Sequence, residues 1–351
     1  MHFSLVRDWD LIATMTRPKY LPDNYTLLLI TTVLLASFFP ASGSIAEALK
    51  LTTTVAIGLL FFLHGAKLPR AAIMAGITHW RLHLLIFGCT FLFFPLLAVA
   101  LRPVLAPLVT EELYVGVLFL CVLPATVQSA IALTGIARGN VPAAVCSASA
   151  STLIGVFITP LLVNWLVVQS DGAASSWDAV GRILLQLMLP FIVGHLLRPL
   201  IVNWIKRSGS LVSAVDRGSI LLIVYTAFSA AVVQGLWKQV PISALGGLIL
   251  ICSILLFIVL VTTFLLSRYM GFSREDRITV MFCGSQKSLA SGIPMAQVLF
   301  SASVVGMMVL PLMLFHQIQL MCCSILAQRW AKRLELTQKK EKELATAATA
   351  P

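Results

Sequence analysis

The stretch "MFCGSQKSLASGIPMAQ", Met281–Gln297, decides how this chain folds. Apolar residues flank it, yet its middle reads Gly284, Ser285, Gln286, Lys287, Ser288, with Gly292 and Pro294 just beyond. A charged side chain at a bilayer centre costs about 2.5–3.5 kcal/mol on insertion scales, so something must compensate Lys287. A helix carrying this cluster at membrane depth is expected to break. Unwound backbone is tolerated there only where protein or a watery cavity satisfies it.

The rest of the chain names lipid as the medium. Of 351 residues, 59% are hydrophobic and 11% charged, against about 25% charged in a soluble domain. The net charge of +11 does not form one patch. The basic residues fall in short clusters between apolar runs, which is membrane topology rather than a nucleic-acid surface. The lipid bilayer is thus the expected partner, and no nucleic acid. The seven cysteines lie in or beside apolar runs without the paired spacing of zinc or haem sites. No nucleophile, base and orienter set and no P-loop glycine motif stands out, so an enzyme, a cofactor or an ATP-driven pump is not expected. Residues 1–23 show neither an h-region nor a small-residue cleavage site, and no cleaved signal peptide is expected.

A crossing helix needs about 20 apolar residues, and that length yields ten spans. They cover 24–40, 45–64, 82–101, 113–137 and 141–168, then 180–203, 216–237, 243–267, 277–298 and 301–328. Lys67, Arg70 and Arg81 follow span two, Arg198, Lys206, Arg207 and Arg217 surround the end of span six, and Arg268, Arg274 and Arg277 follow span eight. Cytoplasmic loops carry the excess Lys and Arg. Both termini, the segment 1–23 and the basic tail 329–351, are therefore expected in the cytoplasm, with the protein multi-pass in the cell (inner) membrane.

Ten spans divide into five-helix halves, 24–168 and 180–328, and an odd number per half gives the halves opposite orientations. Inverted repeats place a transporter's substrate site where interrupted helices meet near the midplane. Span four, "YVGVLFLCVLPATVQSAIALTGIARGN", is apolar to Leu123 and then meets Pro124, Thr126, Gln128 and Ser129. Span nine contains the quoted break. Either segment alone also suits close packing of an ordinary membrane helix. Their equivalent positions, fourth in each half, favour two discontinuous crossing helices.

"LPATVQSAIALTGIARGNVPAAVCSASASTLIGVFITPLL", 123–162, with "FCGSQKSLASGIPMA", 282–296, and "FFLHGAKL", 61–68, resembles the bile acid:sodium symporter superfamily, most closely its SBF-like bacterial branch. The resemblance implies an all-α polytopic membrane protein of ten transmembrane helices in two inverted five-helix repeats. It further implies a panel domain and a core domain, and spans four and nine as crossing helices behind a substrate cavity. It also implies where sodium ligands would stand. The family's hydroxyl ligands of the fifth helix fall on Ala144 and Ala148, and its carboxylate falls on Phe282, while its glutamine is kept as Gln286. The polar residue of the third helix becomes Thr90, and the Ser-Asn pair of the first break is approximated by Ser129 and Ala130. The family's two-sodium site is not expected here, and a proton, or no coupling ion, is favoured over sodium.

Asp and Glu occur only near span ends and loops. The ammonium of Lys287 is therefore expected to replace the missing cation, bonded to Gln128, Ser129 and carbonyls freed by the break. It would serve as a fixed positive charge for an organic anion or as a proton carrier; a structural pin locking the crossing is the alternative. The candidate substrate and ion site comprises Thr90, Thr126, Gln128, Ser129, Ser285, Gln286, Lys287 and Ser288. His64 and His79 read as interfacial, His195 and His316 as packing histidines, and Arg138 as an anchor at a cytoplasmic turn. The function expected is secondary active transport of a small organic anion. The competing reading is a non-transporting regulatory membrane protein that affects ion homeostasis or envelope assembly.

Overall fold

A computed structural model describes residues 24–67, 79–166, 177–301 and 304–348. The expected N-terminal segment 1–23 and Arg70 of the second loop lie outside them. Among the described residues there is no strand. The helices are α1 Asn24–Phe38, α2 Gly43–Lys67, α3 Trp80–Gly88, α4 Phe94–Leu105, α5 Glu111–Val122, α6 Gln128–Ile136 and α7 Val141–Leu166. They continue with α8 Trp177–Arg207, α9 Gly209–Val233, the short α10 Leu236–Gln239, α11 Ile242–Tyr269, α12 Arg274–Ser285, α13 Leu289–Leu299 and α14 Val305–Ala348.

Among the described residues, seven helical stretches are long and apolar enough to cross a membrane: α2, the α3–α4 run to Leu108, α7, α8 from Leu185, α9, α11 and α14 to Leu334. Their outer faces expose large apolar side chains such as Leu51, Leu92, Leu200 and Phe257. In water such faces would drive aggregation, and in lipid they are solvated. The protein is a multi-pass, all-helical membrane protein. The segments read as spans four and nine are each divided in two, at 123–127 and at 286–288. The half-helices α5 and α12 have 12 residues each, which reach about 18 Å, short of the roughly 30 Å hydrocarbon thickness.

Local chemistry sets these ends. Thr110, Ser273 and Ser288 cap α5, α12 and α13 by accepting the amides of Leu113, Asp276 and Ser291. Glu111 and Glu112, like Glu275 and Asp276, occupy first turns, where the helix dipole favours negative charge. Beyond the expected end of span ten at 328, α14 continues as a helix to Ala348. Its run of Ala, Glu, Lys, Leu and Gln has high helix propensity, and that suffices to propagate a helix already nucleated by packing.

Two groups of helices pack against each other. In the first, α2 lies on α8 and α9 lies on α1 and α2. The α2–α8 crossing is close because a Cβ on Gly65 would run into Phe191 O and one on Gly194 into Phe62 O. In the second, α3 to α7 and α11 to α14 surround the two breaks. A cavity of about 580 Å³ opens between the groups. Farther along α9 the groups meet directly, with Gln297 Nε2 donating to Ile223 O at 3.4 Å and Gly306 facing Ala231 without room for a side chain.

Candidate functional site

Lys287 is wholly buried. Its Nζ donates to three backbone carbonyls, Thr90 O at 2.8 Å, Cys121 O at 2.7 Å and Leu123 O at 2.8 Å. The ring centroid of Phe94 lies 4.2 Å from the same nitrogen. Three donors meet three acceptors, and an aromatic face supplies the remaining side. The partners are all main-chain oxygens, in place of the Gln128 and Ser129 side chains expected from the sequence.

The backbone explains why these carbonyls are available. Between α3 and α4 the helix widens into one π-helical turn, Cys89–Phe93, and the amide of Phe94 reaches back five residues to Cys89 O. In that register Thr90 O should receive the amide of residue 95, which is Pro95 and has none. Lys287 takes that orphan. Thr90 itself is buried, its hydroxyl bonded to Ile86 O at 2.8 Å.

The first break is held in a similar way. Cys121 O and Leu123 O go to Lys287, Val122 O receives Thr159 Oγ1 at 2.9 Å, and Pro124 O receives the amide of Ser288 at 2.9 Å. The amide of Ala125 donates to Ser151 Oγ at 2.9 Å. The α5 carboxyl end carries the negative pole of its dipole, which favours the ammonium there.

At the second break, Gln319 on α14 clamps the main chain of Lys287. Its Oε1 accepts the Lys287 amide at 2.8 Å, and its Nε2 donates to Lys287 O at 3.0 Å. That pairing fixes which end of the amide is nitrogen. The same Nε2 stands 2.9 Å from His316 Nδ1, so Nδ1 is an acceptor and the ring proton sits on Nε2. Gln319, Ser151 and Thr159 were not among the expected site residues, because polar side chains spaced along a long apolar helix look like ordinary packing.

The predicted site residues divide between two sides of the crossing. Thr126, Gln128, Ser129 and Ser288 line the cavity, whereas Lys287 and Thr90 lie behind them away from it. Ser129 Oγ donates to Gln286 Oε1 at 2.7 Å and stands 3.1 Å from Thr126 Oγ1, tying the two breaks together on the cavity side. Ser285 is turned back to Met281 O. Ala144, Ala148 and Phe282 are fully buried. Cys283 reaches Ala144 O, the carbonyl of Ala148 receives Thr152, and Phe282 packs on Trp330 with centroids 5.9 Å apart. No group of three or more His, Cys, Asp and Glu converges among the described residues.

The facing cavity wall is charged. Lys67 pairs with Asp216 at 2.6 Å, and the Arg217 guanidinium lies 5.5 Å from the centroid of the Tyr25 ring. His64, Lys67 and Arg217 place cationic or donor groups opposite the hydroxyls and amides of the crossing. A compartment of this size and mixed lining suits a small polar or anionic molecule.

Comparison with known proteins adds a family and three relatives. A model of the family described as "SBF-like CPA transporter family" matches residues 23–332. "Uncharacterized protein PA2026" of Pseudomonas aeruginosa is 62% identical over 319 residues, spanning 91% of this chain and 96% of that protein. "Putative symporter YfeH" of Escherichia coli K12 is 53% identical over 93% of this chain and 98% of its own length, and "Sodium/bile acid cotransporter 7" of Rattus norvegicus is 28% identical over 83% and 87%.

Proposed function

The chain belongs to the SBF-like CPA transporter family, and from that premise we propose that it is a secondary active transporter of a small organic anion in which Lys287 takes the place of a bound cation. Ten spans in two inverted repeats complete the reading. The divided pairs α5–α6 and α12–α13 are its fourth and ninth spans, in an inner membrane with both termini cytoplasmic. Supporting it, α7 holds the first break through Ser151 and Thr159 while α14 holds the second through Gln319, the fifth and tenth helices playing matching parts.

The carrying observation is the set of carbonyls around Nζ. Three main-chain oxygens within 2.8 Å are what a small cation would gather from one unwound helix and one widened turn, and a lysine reaches them covalently. The fixed-charge role follows, since an ammonium has all three donors that the carbonyls accept. The cavity reaching Gln128, Ser129 and Ser288 supports transport over a purely regulatory role. Cargo enters between the helix groups, with Lys67, Arg217 and His64 on one wall.

The test is thermal unfolding of the purified protein in sodium, potassium, choline or methylammonium chloride at matched ionic strength. A ligand that binds only the folded state adds about 2.7 kcal/mol at a hundredfold excess over Kd. The natural protein is expected to show no sodium-specific rise. Lys287→Ala is expected to melt lower and to recover partly in sodium or methylammonium but not in choline. A sodium-specific rise in the natural protein, or an Ala variant as stable as its parent, overturns the substitution.

A further inference from the structure

A second cavity, of about 440 Å³, lies outside the helix groups, between the α3–α4 run and α11. Its walls are almost wholly apolar, and Leu92 and Leu96 are half exposed or more along it. Gly88 makes it a trough: a Cβ at that position would meet nothing within 4 Å. Its charge lies at one end. There Arg81 is exposed beside Trp80, and its guanidinium lies 5.9 Å from the centroid of the Phe272 ring. The ion pairs found among the described residues are Lys67–Asp216 and Arg102–Glu111, so no carboxylate there neutralises Arg81.

We propose that this trough binds one anionic phospholipid, its phosphate on Arg81 and one acyl chain lying over Gly88 toward Leu96. Trp80 is 61% exposed and Tyr269, at the same end of α11, is 89% exposed; exposed Trp and Tyr mark the headgroup level of a bilayer. Arg81 stands at that level, where basic clefts between membrane helices hold anionic headgroups. From Arg81 to Leu96 the helix rises about 22 Å, longer than the roughly 15 Å of one leaflet's hydrocarbon. The trough therefore accommodates a full chain of the leaflet whose headgroups Arg81 meets. Its floor includes Cys89, beside the Thr90 whose carbonyl holds Lys287, so a seated chain packs against the outer surface of the widened turn. This inference does not depend on transport.

Native mass spectrometry of the full chain in detergent, with equal amounts of phosphatidylglycerol and phosphatidylcholine, reads the retained lipid directly. The natural protein is expected to keep one lipid and to favour phosphatidylglycerol about fivefold, the scale of one basic group at a membrane surface. Arg81→Gln should keep a lipid but bring that ratio near one, with Arg81→Lys restoring much of it. Gly88→Leu should fill the trough and release both lipids, while the unfolding temperature in lipid-free detergent stays unchanged. The proposal is overturned by a natural protein that retains no lipid, by an Arg81→Gln protein with the original preference, or by undiminished retention in Gly88→Leu. Lipid held by the basic tail alone would give the second and third of these results.

Discussion

At the scale of a residue, Lys287 and Gln319 form one unit. The lysine side chain satisfies orphan carbonyls of two other segments, and Gln319 satisfies the lysine's own peptide group. Gln319→Leu leaves a buried amide and a buried carbonyl unmade, at about 1–3 kcal/mol each. That variant is expected to unfold at clearly lower temperature or denaturant, whereas Met321→Leu, at an exposed position of the cavity wall on the same helix, should change stability little. Equal melting of the two variants would remove Gln319 from the unit. The lysine was legible in the sequence because a charge inside an apolar run demands an explanation. Carbonyls freed by a break were expected among its partners, but which carbonyls was not legible, since main-chain oxygens carry no residue label and Thr90 O becomes an acceptor only because a third helix loses its register.

At the scale of an element, the widened turn Cys89–Phe93 controls one of the three acceptors, and that acceptor is open to Lys287 because of a missing hydrogen. Pro95→Ala returns an amide that can bond Thr90 O and draw it away from Lys287. Replacing a helical proline by alanine ordinarily stabilises by up to about 3 kcal/mol. Here the change is expected to lower stability by about 1 kcal/mol, the worth of one hydrogen bond, so a raised melting temperature would count against this account. Gly155 is a second test, because its Cβ would meet Pro124 Cβ at 2.6 Å and Cγ at 2.8 Å. Gly155→Ala should push α7 from the first break, strain the Ser151 bond to Ala125 and cost roughly 1–3 kcal/mol as overpacking; the melting curve of that variant checks it. Both breaks were readable from Pro124, Gly284 and the clustered hydroxyls. The sequence reading nevertheless joined Lys287 and Ser129 into a single site. Their separation onto opposite sides of the crossing follows from the direction each unwound segment takes, which composition does not encode.

At the scale of the whole molecule, two helix groups leave a cavity on one side of a closed seam, with Gln297 and Gly306 against α9 beyond it. Ser324 lines that cavity, while Cys121 and Cys283 are wholly buried. After Cys322, the exposed native thiol, is replaced by alanine, Ser324→Cys should react with a membrane-impermeant maleimide supplied from the cytoplasmic side of inverted vesicles. Right-side-out cells should leave it unlabelled, and Cys121 and Cys283 should stay unreactive in both. Labelling from the outer face alone would reverse the assigned orientation. The tether at Lys287 also bears on where driving force originates. An ion that arrives from one compartment and departs into the other carries its share of the membrane voltage, about 2.3 kcal/mol per charge for each 100 mV. A cation bonded to the polypeptide makes no such journey. On the proposed reading it is a fixture that does not dissociate, and a sodium gradient then has no purchase at this position. Under that proposal, uphill accumulation draws on an ion that binds at some other point in the protein.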